Sequence, residues 1–141
     1  MYQSLLPLIG WAVTLAVCVL AWWKGGPAER TGALLIIGAA VAVWLSHNLL
    51  PPTIAGTALL VIDAAMAMGF LILAIRYASL WLGGAMLFQA AQFSLHAYYL
   101  VMERPYDRLY SIINNIDTAG VLVCILTGTM VAWRRTTVRP A

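Results

Sequence analysis

Five runs of about twenty mostly apolar residues constrain this chain more than any other feature. Lipid offers the backbone no hydrogen bonds, so a run of that length crosses a bilayer as a helix, which satisfies its own. The runs cover residues 5–23, 31–50, 53–75, 79–102 and 109–133. The first ends at "KGGPAER", the second at Pro51 and Pro52, the third at Arg76 and the fourth at "ERPYDR". The fifth starts between Leu109 and Ile116 and closes before "RRTTVRPA". They predict an all-α transmembrane bundle of five helices with short loops, one integral membrane domain over 1–141.

Only 9% of the residues are charged, against about a quarter in soluble domains. The polar segments between runs are too short for a separate soluble domain. The net charge of +3 does not point to nucleic acid, because the basic residues sit at helix ends rather than in one patch. The lipid bilayer is the expected partner. Cys18 and Cys124 fall inside apolar runs and suggest no disulfide framework. No Lys or Arg precedes the first run and "AWWKGG" is no cleavage site, so a cleaved signal peptide is not expected.

Lys24, Arg30, Arg76, Arg134, Arg135 and Arg139 fall on one side of such a bundle. Arg104 and Arg108, each beside an acid, fall on the other. The positive-inside rule then puts the N-terminus outside and the C-terminus in the cytoplasm. Trp22, Trp23, Trp81 and Trp133 fall at the inner interface, where amphipathic rings are favoured.

Within the fourth run, Gln89, Gln92, His96, Tyr99 and Glu103 recur at steps of three and four, the period of one helix face. At 1.5 Å per residue His96 lies roughly 9 Å deep, His47 roughly 5 Å, Asp117 roughly 12 Å and Asp63 roughly 15 Å. The ionisable groups inside the runs thus gather from the midplane to the outer face. An aspartate near the bilayer centre costs about 3 kcal/mol and marks a functional site by default. Small residues at Gly56 and Ala67 flank Asp63, so its face packs closely and turns the carboxyl toward protein. Asn114 and Asp117 share a face of the fifth run.

These residues predict an outward-facing polar pocket centred on Asp63 and His96, with Gln92, Asp117, His47, Asn114 and Tyr99 around them. Such a pocket takes a small ligand, a proton or an ion, or docks a partner subunit. A second reading uses His47 and His96 as axial ligands of a b-type haem, or as ligands of a metal ion. A third makes the chain a purely structural accessory subunit whose stripe meets a larger membrane complex, or a homo-oligomer. The plainer reading of the stripe is interhelical glue, each bond contributing about 0.6–2 kcal/mol. No CxxC, HExxH, GxSxG, P-loop or GxGxxG run is present, and the chain leans away from an enzyme. Small residues form ridges at Gly10, Thr14, Val17 and Ala21 and at Ala65 and Gly69, suited to packing within the monomer.

The run "LAIRYASLWLGGAMLFQAAQFSLHAYYL" and the ending "GTMVAWRR" resemble small uncharacterised multi-pass membrane proteins of alphaproteobacteria. The resemblance covers about the C-terminal two-thirds of the chain. It implies a bacterial inner-membrane location and carries no activity with it.

Overall fold

The computed structural model describes residues 2–138, with side chains from residue 7 onward. Among these residues the chain forms five helices: α1 (Tyr2–Lys24), α2 (Pro27–Leu49), α3 (Pro52–Tyr77), α4 (Leu80–Val101) and α5 (Arg108–Val138). Arg139, grouped above with the basic end, lies outside the described residues.

Local chemistry sets the breaks. A Cβ at Gly25 would lie 2.3 Å from the Ala21 carbonyl oxygen and 2.6 Å from Glu29 Cβ, so only glycine fits that corner. Pro27 then opens α2 in a position that needs no N–H donor, and Glu29 accepts the Gly26 N–H at 2.9 Å. This capping box starts α2 four residues before its apolar run. Pro51 and Pro52 stop α2 and begin α3. Ala78, at φ 45°, ends α3, and Glu103, at φ 50°, follows the end of α4. Glu103 is therefore off the helix, and the stripe loses its last member.

Each helix packs on the next in sequence, α5 returns to α1, and α5 also touches α2. The short links make successive helices antiparallel. Lys24, Arg30, Arg76, Arg134 and Arg135 consequently lie at one end, and the loop from Met102 to Asp107 at the other. Lys24 Nζ sits 5.0 Å from the ring centres of Trp23 and Trp133, which ties α1 to α5 at the basic end.

α1, α2, α3 and α5 are each long and apolar enough to cross a membrane. α4 is the exception. Its 22 residues span about 33 Å, but Gln89, Gln92 and His96 dilute its apolar character. The outer surface is strongly apolar: Leu49, Ile75, Leu80 and Val101 are all more than 70% exposed. Soluble monomers do not present a surface of that kind; a lipid-embedded bundle does.

The apolar core fills the basic half. Phe70, Leu82 and Ile125 are fully buried there with Cys18 and Ala21. Lipid tails are as apolar as these side chains, so close packing rather than water exclusion holds them together. Trp81 belongs to this core and not to an interfacial belt. It is 7% exposed, wedged between Gly32 and Gly128, and donates its indole N–H to Glu29 Oε1 at 2.9 Å. A buried indole needs such an acceptor, and Glu29 supplies it from 52 residues away. The small-residue ridges divide. Ala21 is buried and Gly69 faces Leu35, whereas a Cβ at Gly10 would meet nothing within 4 Å.

Candidate functional site

The half of the bundle nearest the α4–α5 loop contains a polar network instead of an apolar core. Asp63 projects from the middle of α3, where the close approach of α4 shuts out lipid, and is 5% exposed. Gln89, one helix over, donates its amide N–H to Asp63 Oδ1 at 3.2 Å. His96, two turns further along the same face of α4, engages Asp63 Oδ2 through Nδ1. The other ring nitrogen, Nε2, pairs with the hydroxyl of Tyr110 on α5. Three helices thus meet through one imidazole.

An aromatic cluster covers this chain on the loop side. Tyr106 stacks on Tyr110 at 4.3 Å between centroids, and Tyr99 meets Tyr110 edge-on at 5.1 Å. Asp107 holds the cluster in place. It is the N-cap of α5, its Oδ1 accepting the Tyr110 N–H at 2.8 Å, and the same oxygen accepts the Tyr99 hydroxyl at 2.7 Å. These two donors, the backbone N–H foremost, hold the Asp107 carboxyl below the usual carboxylate range.

Beside the chain, Gln92 donates to Asn114 Oδ1 at 3.0 Å, a second α4–α5 link. Asp117, one turn along from Asn114, is 5% exposed, and its Oδ2 has no hydrogen-bond partner among the described residues. It lies within electrostatic reach of His96. A buried carboxyl oxygen without a partner is rare in folded proteins and calls for a reason.

The structure therefore brings together Asp63, His96, Tyr99 and, beside them, Gln92, Asn114 and Asp117. It does not bring in His47. That residue lies on the exposed side of α2, while His96 is buried with both ring nitrogens engaged by protein. The pair does not fit a bis-imidazole haem, which needs a free nitrogen from each ring aimed at one iron. Among the described residues no group of three or more His, Cys, Asp or Glu is placed to hold a metal ion.

Gln89, Tyr110 and Asp107 were missing from the sequence-derived site. Gln89 was legible, since it shares the stripe with His96. Tyr110 and Asp107 were not placed, because "YDRLYSIINNID" lacks a clear start for the fifth helix. Two surface grooves of the bundle, one beside Cys18 and Arg30 and one between Trp11 and Trp44, lie away from this network.

No known protein family, curated protein or solved structure matches this chain.

The chemistry of the network follows from its donors and acceptors. An ionised carboxylate only accepts, so whenever Asp63 is ionised the Nδ1 position facing it carries the proton. A neutral ring then accepts the Tyr110 hydroxyl hydrogen at Nε2, and an imidazolium donates to the Tyr110 oxygen instead. A hydroxyl can do either. The same atoms therefore satisfy both protonation states of His96 without moving.

Proposed function

We propose that this is a multi-pass inner-membrane protein that takes up and holds a proton on the Asp63–His96–Tyr110 chain. The observation that carries the reading is the imidazole bonded at both nitrogens, to a carboxylate on one side and a hydroxyl on the other. Proton relays inside membranes are built from such Asp and His chains. The chain ends at the Tyr110 hydroxyl, on which the exposed Tyr106 stacks toward the α4–α5 loop, while Phe70, Leu82 and Ile125 close the other half with apolar packing. The site thus lies nearer one face, and the charge asymmetry argues that this face is periplasmic, with the C-terminus in the cytoplasm. Asp117 stands next to it as a second proton acceptor.

A proton suits the site better than a small molecule does, because most of its inward polar atoms already have protein partners. A position toward one face also suits a sensor or a half-path within a larger membrane complex better than a complete channel. The reading of the stripe as interhelical glue draws its support from the Gln92–Asn114 bond, which joins α4 to α5.

Infrared difference spectra of the protein in vesicles, stepped between pH 5 and pH 9, test the proposal. Carboxyl and imidazole bands should appear together, and Asp63→Asn and His96→Gln should each remove both. Gln92→Leu should leave them intact. A flat difference spectrum would leave only the structural reading.

A further inference from the structure

We propose that the groove between α1 and α2 binds an anionic phospholipid from the leaflet at the basic end of the bundle. The groove has a volume of about 620 Å³, within the range of about 300–1,000 Å³ that ligand sites occupy. Its lining is ordered by depth. Arg30, in the first turn of α2, and Trp22 and Trp23, in the last turn of α1, form the mouth. Val19 on α1 and Leu34 and Ile37 on α2 line the part that runs toward the bilayer centre. A phospholipid has the same order: phosphate, then glycerol ester at the level of interfacial indoles, then acyl chain.

Charge identifies the headgroup. Glu29, the acid adjacent to Arg30, is turned into the bundle, with one oxygen taken by Trp81 and the other by the Gly26 N–H. It makes no ion pair with Arg30. Among the described residues the one ion pair is His96–Asp63, in the other half of the molecule. Lys24, held between the rings of Trp23 and Trp133, adds a second cation at the same end of the bundle without lining the groove itself. The groove therefore pairs an aliphatic floor with an Arg30 guanidinium that no carboxylate among the described residues contacts, and with Lys24 close by. A phosphodiester with no cation of its own completes it. A second copy of the chain fits less well, because twofold contact through this face would bring Arg30 and Lys24 toward their own copies.

Brominated lipids give the test, because Trp22 and Trp23 are themselves in the site. Protein in vesicles receives the same mole fraction of acyl-brominated phosphatidylglycerol or phosphatidylcholine. The signal of these two indoles is isolated by subtracting the Trp22→Phe/Trp23→Phe variant. The anionic lipid should quench them with a several-fold higher relative affinity, and Arg30→Gln should lower that preference about fivefold, the effect of one basic residue near a membrane surface. Arg30→Lys should keep it. Arg76→Gln, at the same end but outside the groove, should also leave it unchanged. Equal quenching by both lipids overturns the proposal. So does an equal loss in Arg30→Gln and Arg76→Gln, which would mean a diffuse surface field. Absence of quenching by either lipid would mean that protein covers the groove, and also overturns it.

Discussion

The Asp63–His96 pair can be told from ordinary interhelical glue by its coupling energy. His96→Ala removes the partner of Asp63 Oδ2 and that of the Tyr110 hydroxyl, and leaves Asp63 with Gln89 alone. Asp63→Ala leaves both His96 Nδ1 and the Gln89 amide without their acceptor. Each single variant therefore strands buried polar groups, and the double variant strands fewer than the two singles combined. Interhelical hydrogen bonds in membrane proteins couple by about 0.6 kcal/mol on average, whereas close, desolvated charge pairs couple by about 1.5–7 kcal/mol. With both side chains 6% exposed, we expect a coupling of about 2–4 kcal/mol. The assay is a double-mutant cycle in mixed micelles, with loss of helicity followed as denaturing detergent is raised. The protein contains its own reference, since Gln92 and Asn114 join α4 to α5 through neutral groups. Their cycle should give the ordinary value. Equal coupling in the two cycles would make the Asp63–His96 contact ordinary interhelical glue and would count against reading the network as a proton site.

Gly128→Ala should lower thermal stability by about 1–3 kcal/mol, because its Cβ would fall 2.4 Å from the Trp81 ring, while Gly10→Ala should be near neutral with nothing within 4 Å. Asp107 binds its proton less readily folded than unfolded, so its contribution is complete above the ordinary carboxylate value of about 4 and is lost as pH falls through its lower, folded value. Asp107→Asn should flatten that acid limb in pH-dependent melting, and an unchanged limb would contradict the assigned cap. With five antiparallel helices, reporters fused after Ala141 and inserted at Pro105 should label opposite sides of the membrane.

Four of the five helices were legible because hydropathy over twenty residues integrates many side chains, whereas α4, diluted by Gln89, Gln92 and His96, was marked mainly by the breaks around it. The cost of an aspartate near the midplane likewise singled out Asp63 before any neighbour was known. What sequence supplies is height along a helix; it does not supply the direction in which a face turns. His47 was grouped with His96 on height and turned out to point away from the bundle. Glu29 drew no reading from the sequence, for a related reason. A charge beside an apolar run reads as interfacial, and only the distant indole of Trp81 makes it a buried acceptor. Tyr110 was hidden by the mixed polarity at the start of α5, where the cap at Asp107 rather than hydropathy sets the boundary.

The dilution of α4 has a consequence for how the protein is made. Presented alone to the translocation machinery, a segment carrying Gln89, Gln92 and His96 has a poor claim to enter lipid. Its partner for two of those groups is Asp63, on the helix synthesised just before it and joined to it through Ala78 and Ser79 alone. Asp63 is itself costly in lipid until that partner arrives. The two helices therefore reduce each other's insertion penalty when they leave the translocon as a hairpin, and the Tyr110 bond can form only later, when α5 emerges. A change at Asp63 would then reach the cell first as α4 failing to integrate, before any mature bundle exists to be measured.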